Sequence, residues 1–448
     1  MTVHAAIVTG PHPDVPGSRA VVLEPYGTDR LARYDYVQEE YLVSGTAAGT
    51  PYGTRILIRR PADPARFSGT VIAEASHIWG GTSVWRAINR FVMRGNHVWV
   101  EIDSQAPSAM GLIAGADPDR YRTFTFAESP LSQQFAATIP FSPDADYADV
   151  VQEYDRFMRQ WWDATPQSPE ILAQVSAALR EGLPGSGIKA QKVYLGGISQ
   201  TGGVVREFIR HHHDRLRLPG DAPAFDGYLP GASGGPALPD VDVPVIEVLG
   251  EAEFQSVRRR CGVGGQVRGL SHRRADSASF RLYEVAGMAH RETREMSAAD
   301  RARLAGCPLP SGARWSTFPN SHVHHTVWQA LLDWSDTGRA PVASKVLATE
   351  GDTDEILRDE HGNALGGWRT TYVDVPTSTL TAATPLGRPS WYHGNEIPFD
   401  PSTFEQLYGD VERWRRRVAD RLEQYLREQT YLPIDAEELR RLDVPVSS

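Results

Sequence analysis

The run Lys192–Val204, KVYLGGISQTGGV, sets the tightest limit on what this chain can fold into. A β-branched and aromatic stretch stops at Gly-x-Ser and resumes as a glycine-rich segment with helical character. The spacing predicts a buried strand, Val193–Gly197, that turns sharply into a helix, Gln200–His213. A serine on such a reversal has an unfavourable backbone and an exposed hydroxyl, which is how a nucleophile is presented. Small residues are needed beside Ser199, and Gly197 supplies the one before it. The usual second glycine, two positions after the serine, is replaced by Thr201, with Gly202 and Gly203 following, so the match is G-x-S-x-x-G. A plain turn before a helix can carry the same letters, and the case therefore depends on partners elsewhere in the chain.

Strand-like runs at Tyr36–Ser44, Thr54–Arg60, Gly69–Ala75 and His97–Ile102 precede the serine. The first two read as an antiparallel pair at a sheet edge, and the next two flank a helical pattern, Val84–Arg94, as a βαβ crossover would. Three further runs follow, Ala224–Leu229, Val243–Leu249 and Phe280–Val285. Strands alternating with helices predict an α/β fold with a mostly parallel central sheet and helices on both faces. Residues 106–190, with a helix expected at Tyr147–Trp162, exceed what the sheet needs and are expected to form a lid-like insertion. The tail from Pro341 reads as turn plus strand in HGNALGGWRTTYVDVP, then one amphipathic helix, Phe404–Tyr431, packed back on the core. No repeat or linker interrupts the 448 residues, so one elaborated domain is expected over 1–448.

Hydrophobic residues at 41% and charged residues at 23% are ordinary for a globular protein. The formal charge of −10, with both signs mixed along the chain, gives no basic stripe for nucleic acid. No apolar run reaches the roughly 18 residues of a membrane span. The N-terminus lacks the cationic start and apolar run of a secretory signal. Cys261 and Cys307 do not make a disulfide framework, and together these features point to a cytoplasmic protein with reduced thiols.

A free serine is a poor nucleophile, so a base and a group to orient it are required. His290 is the leading base: the strand Phe280–Val285 runs out into Gly287-x-x-His, which puts an imidazole on the loop after the final strand. The acid is expected in PVIEVLGEAE (244–253), where the strand ends at Gly250 and presents Glu251 and Glu253. In an extended segment those two would face opposite ways. The Gly-x-x-acid spacing favours Glu253, with Glu251 its competitor. For the oxyanion, one backbone N–H is expected from Gln200, at a helix N-terminus, and another from His77 or Ile78 in the loop Ser76–Gly81. Trp79 could wall the acyl pocket, and Gln105, just past the end of the fourth strand, is a pocket candidate. His211–His213 reads as a solvated helix end. His322, His324 and His325 open a probable helix, His324–Trp334, without an adjacent carboxylate or cysteine pattern for zinc. No metal or cofactor is expected.

With these residues in view, the chain resembles the bacterial "alpha/beta hydrolase domain" family of the α/β-hydrolase superfamily. The likeness is carried by YVQEEYLVSGTA (36–47), TRILIRRPADPARFSGTVIAEA (54–75), DPDRY (117–121), GGISQTGG (196–203), PVIEVLGEAE, DSASFRLYEVAGMAH (276–290), CPLP (307–310), FPNSHVHHTVWQALLDW (318–334) and GNALGGWRTTYVDVP (362–376). It implies an α/β-hydrolase fold and a triad on Ser199, the GEAE segment and His290, and it marks His325 as a recurrent position near the site. One departure stands out: relatives commonly carry Trp-Leu-Asn after the third strand, where this chain has Ala75-Ser76-His77. The resemblance therefore does not carry over the shape of the oxyanion loop. The family is known mainly as presumed esterases, which implies a small-molecule ester or lactone substrate and hydrolysis through an acyl-serine. Acyl transfer, lyase or cofactor-free peroxidase chemistry on the same fold, or ligand binding without turnover, are the competing expectations. Neither nucleic acid nor membrane is an expected partner.

Overall fold

The computed structural model describes residues 1–78, 80–127, 164–259, 267, 269–294, 296, 298–384 and 392–441. Contacts divide the chain into two compact units, Met1–Gly231 with Leu238–Val245, and Ala232–Ala237 with Ile246–Ser448.

In the first unit, seven strands form a sheet: β1 (Ile7–Thr9), β2 (Tyr36–Ala47), β3 (Thr50–Pro61), β4 (Thr70–Ala75), β5 (Val98–Ile102), β6 (Lys192–Ile198) and β7 (Gly227–Gly231). Their order is β1-β2-β3-β5-β4-β6-β7. The pairs β4–β5, β4–β6 and β6–β7 are parallel, while β3 runs against β5 and β2 against β3. The expected hairpin is present, but it does not end the sheet. The short β1 pairs antiparallel with β2, Ile7 opposite Ser44, and covers its outer side. Strands β4, β5 and β6 are apolar runs buried along nearly their whole length, as expected for parallel strands covered on both faces.

Two glutamates break that apolar pattern, Glu74 and Glu101, which are register partners in β4 and β5. Burial is affordable because each meets donors. Arg55, fully buried, binds Glu101 at 3.1 Å, Glu40 at 2.5 Å and Asp103 at 2.7 Å. The DPDRY segment joins this cluster: Arg120 Nε and the Tyr121 hydroxyl donate to Glu40 at 2.7 and 2.8 Å. Glu74 accepts from Val84 N at 3.1 Å, Trp85 N at 2.7 Å and Trp99 Nε1 at 2.8 Å. It therefore clamps the first turn of α1 (Ser83–Arg94) onto β4 and fixes both ends of the loop 76–82. Loss of solvent pushes the Glu74 carboxyl up to about 7, against the pull of those three hydrogen bonds.

Helices α2 (Ser168–Glu181) and α3 (Gln200–Glu207) complete the elements of this unit that bear on the site. The helix after the serine continues only as a wider turn, Phe208–His212. His213 is not part of a solvated helix end: it is buried, with Nδ1 2.8 Å from the Tyr228 hydroxyl and Nε2 2.6 Å from Asp242. The expected helix Tyr147–Trp162, like residues 128–163 of the insertion as a whole, lies outside the described residues, as does Cys261.

The second unit carries neighbouring strands β8 (Val245–Gly250) and β9 (Phe280–Val285), with α4 (Gln255–Arg259) and α5 (Asn320–Thr337). The tail packs along β9 through bridges Tyr283–Lys345 and Val285–Trp368, with Trp368 buried. HGNALGGWRTTYVDVP does not form the expected strand. Gly366 and Gly367 hold φ of 72° and 70°, which extended backbone cannot accommodate, and a helical turn, Thr371–Asp374, follows. The expected helix Phe404–Tyr431 is two helices, α6 (Pro401–Tyr408) and α7 (Val411–Arg427). Gly409 breaks it at φ 77°, and Asp410 caps the second piece by accepting from Arg413 N. A last helix, α8 (Pro433–Arg440), follows. No helix among the described residues is long and apolar enough to cross a membrane.

Candidate active site

Ser199 stands between β6 and α3 with φ 64° and ψ −123°, a backbone that side chains with a Cβ rarely adopt. Strain of this kind persists only where the surroundings enforce it. Here Ser199 N donates to Gly231 O at 2.9 Å, and Ser199 O accepts from Gly203 N at 3.0 Å. Gly197 is required by contact: a Cβ there would lie 2.1 Å from Thr201 O. Thr201, in place of the usual glycine, closes the turn with its hydroxyl. Oγ1 accepts from Ile198 N and donates to Ile198 O, both at 2.9 Å.

The loop after β4 is tied to this elbow by side chains. Gln105 Nε2 donates to Ser76 O at 2.7 Å and to Gln200 Oε1 at 3.1 Å, and Gln200 Nε2 returns a bond to Gln105 Oε1 at 2.8 Å. Gln200 Oε1 also accepts from Ile78 N at 3.3 Å. The two amides thus bridge the residue after the serine to the oxyanion loop, and both are buried. Gln105 belongs to this brace. His77 N donates to Gly81 O at 3.0 Å, a turn that also takes Gly80 N onto His77 O at 2.7 Å. Both glycines hold positive φ, 87° and 93°. Trp79 lies outside the described residues.

The second unit holds an acid–histidine pair. Residues 251–253 form a 3-10 turn, so Glu251 and Glu253 do not alternate as an extended segment would. Glu253 Oε1 lies 2.7 Å from His290 Nδ1. Glu251 instead accepts from Gly287 N at 2.8 Å and from Arg358 Nη2 at 2.5 Å, bracing the glycine that starts the His290 loop. The spacing Gly-x-x-Glu and Gly-x-x-His has a steric origin. A Cβ on Gly250 would sit 2.8 Å from Met288 O, and one on Gly287, at φ 78°, would sit 2.6 Å from Leu380 Cδ1.

Arg258, on α4 and almost fully buried, was not visible as a site residue in the sequence. Its Nη2 donates to Glu253 Oε2 at 3.1 Å and lies 3.4 Å from His290 Nδ1, while Nε donates to Ala252 O at 2.6 Å. Burial alone would raise the Glu253 carboxyl, but His290 and Arg258 outweigh it and hold the group below the usual carboxylate range. The Tyr392 ring lies 5.3 Å from the His290 ring, tilted by 38°, and Asn320 Nδ2 donates to Ala289 O at 2.7 Å. His325 meets Asp435, Nδ1 to Oδ2 at 2.8 Å, and the histidines of α5 do have carboxylate neighbours, supplied by α8.

An α/β sheet that presents a strained serine between strand and helix, with an acid–histidine pair following in chain order, defines a protein built on the α/β-hydrolase plan. The sequence profile of the alpha/beta hydrolase domain family matches residues 8–441, and the chain belongs to that family. No curated protein matches the sequence significantly. Among solved structures, the esterase Est22 is similar with a TM-score of 0.32 and 10% identity over 57% of this chain and 74% of that one. A hyperthermophilic esterase from the archaeon Pyrobaculum calidifontis gives 0.27 and 11% over 50% and 69%. A fungal esterase from Rhizomucor miehei gives 0.28 and 12% over 74% and 73%. Likenesses at this level add nothing to the argument from the family and the residues.

Proposed function

We propose that the protein is a cofactor-independent serine hydrolase that cleaves a small carboxylic ester or lactone through an acyl-enzyme on Ser199. Ser199 Oγ attacks the carbonyl carbon while His290 takes its proton, and the tetrahedral intermediate collapses as His290 returns that proton to the departing alcohol. Water then repeats the sequence on the acyl-serine and restores the enzyme. Glu253 fixes the imidazole through Nδ1 and stabilises the imidazolium formed at each step. The oxyanion would be held by Gln200 N–H and Ile78 N–H. Of the two loop candidates, Ile78 fits better, because its only described partner is a long bond to a side-chain oxygen, whereas His77 N is held in a backbone turn.

The observation that carries this reading is the backbone of Ser199, φ 64° on a buried strand-to-helix turn that Gly197 and Thr201 enforce. The test is Ser199→Ala. Turnover of short p-nitrophenyl esters and labelling by a fluorophosphonate probe should both vanish while the protein stays folded. Labelling retained in that variant would overturn the assignment.

A further inference from the structure

Two residues of α5, His322 and His325, share one helix face at a spacing of three, and two residues of α8, Asp435 and Glu438, do the same. The faces meet. His325 Nδ1 lies 2.8 Å from Asp435 Oδ2, and His322 Nε2 lies 3.4 Å from Glu438 Oε2. One donor atom from each of His322, Asp435 and Glu438 lies within 4.8 Å of the other two.

From this geometry we infer a divalent transition-metal site, with zinc as its ion, on His322 Nε2 and the carboxylates of Asp435 and Glu438. Two observations point to it. First, His322 is fully buried, yet among the described residues its Nε2 finds no hydrogen-bond partner. Leaving such a nitrogen unused is costly, and the 3.4 Å to Glu438 is not a hydrogen bond. That separation is the edge of a tetrahedron with bonds of roughly 2.1 Å, the length of zinc–nitrogen and zinc–oxygen bonds.

Second, the ring is already held from behind. His322 Nδ1 lies 2.8 Å from the Tyr431 hydroxyl, the outer contact that metal-bound imidazoles commonly keep, and Asp435 is held in the same way by His325. Arg294 holds Glu438 by its other oxygen, Oε1, at 2.6 Å. An imidazole with two carboxylates is a donor set that zinc accepts.

The ion would fasten α8 to α5, whose first turn holds the His290 loop through Asn320 Nδ2 on Ala289 O at 2.7 Å and Ser321 N on Glu292 Oε2 at 2.7 Å. The inference does not depend on the hydrolase reading.

The test uses the full-length protein freed of metal by dialysis against a chelator, titrated with zinc chloride by calorimetry and followed by thermal melting. About one zinc should bind per chain, and saturation should raise the melting temperature by about 2 °C or more. Glu438→Gln, which keeps an oxygen for Arg294 on a partly exposed side chain, should remain folded and bind zinc at least tenfold more weakly. His322→Gln should do the same. Absence of stoichiometric binding by the folded wild type would overturn the site, as would binding by Glu438→Gln that matches wild type.

Discussion

Replacing Glu74 by glutamine tests the account of the buried strand in a way that few other residues allow. Its carboxyl is pushed up to about 7 by burial, against an ordinary glutamate value near 4.5. The folded state therefore keeps a proton between those two values that the unfolded chain has released. Stability contributed by this group is full at low pH, falls as pH rises through that window, and levels off above about 7. The difference of about 2.5 units, at 1.36 kcal/mol each, amounts to about 3 kcal/mol. Glu74→Gln has no proton to lose but keeps an oxygen to accept from Val84 N, Trp85 N or Trp99 Nε1. Part of the wild-type contribution is already lost by pH 5, so the variant's stability relative to wild type should rise by about 2.5 kcal/mol from pH 5 to pH 8. Urea unfolding of both proteins across that range isolates the effect, because titration of groups common to both cancels. A difference that stays flat with pH, or falls, would refute the reasoning. Because Glu74 also holds the start of α1, ester turnover should drop in the variant if the loop 76–82 supplies an oxyanion donor.

Other consequences follow from the serine turn and from the acid–histidine pair. Glu253→Gln should lower kcat by roughly 10³–10⁴ on a chromogenic ester, since the imidazole loses the group that sets its tautomer. Glu251→Gln should cost about 1–3 kcal/mol of stability, read by urea unfolding, with kcat changed far less, because Glu251 serves Gly287 and Arg358. Gly197→Ala places a Cβ 2.1 Å from Thr201 O and should abolish both soluble yield and activity. Arg258→Gln should start acid unfolding at a higher pH, measured by circular dichroism. The depressed Glu253 carboxyl contributes stability that is present above its unfolded value and lost as pH falls through its folded one, and removing Arg258 raises the latter.

What could be read from the sequence was what the backbone itself demands. Gly197, Gly250 and Gly287 each sit where a Cβ would meet another residue at less than 3 Å, and so they stand at fixed distances from Ser199, Glu253 and His290. Strand positions were legible for a similar reason, since a buried parallel strand is apolar along most of its length. Between Glu251 and Glu253 the sequence offered only the Gly-x-x-acid spacing, which favours Glu253, and not the physical reason for the choice. The choice depends on a 3-10 turn that replaced the extended backbone assumed from the strand, and on Arg358, more than a hundred residues away, taking Glu251. Arg258 was hidden because a buried arginine and a solvated one look alike in a run of three. The carboxylates beside the α5 histidines were hidden because α8 brings them from 110 residues further on. Thr201 shows where the two kinds of information meet. By pattern it is a missing glycine, yet its hydroxyl bonds both the N–H and the C=O of Ile198, so it fixes the turn that a second glycine would merely permit. If that is its role, Thr201→Gly should lose stability despite restoring the commoner motif, and Thr201→Ser should retain it.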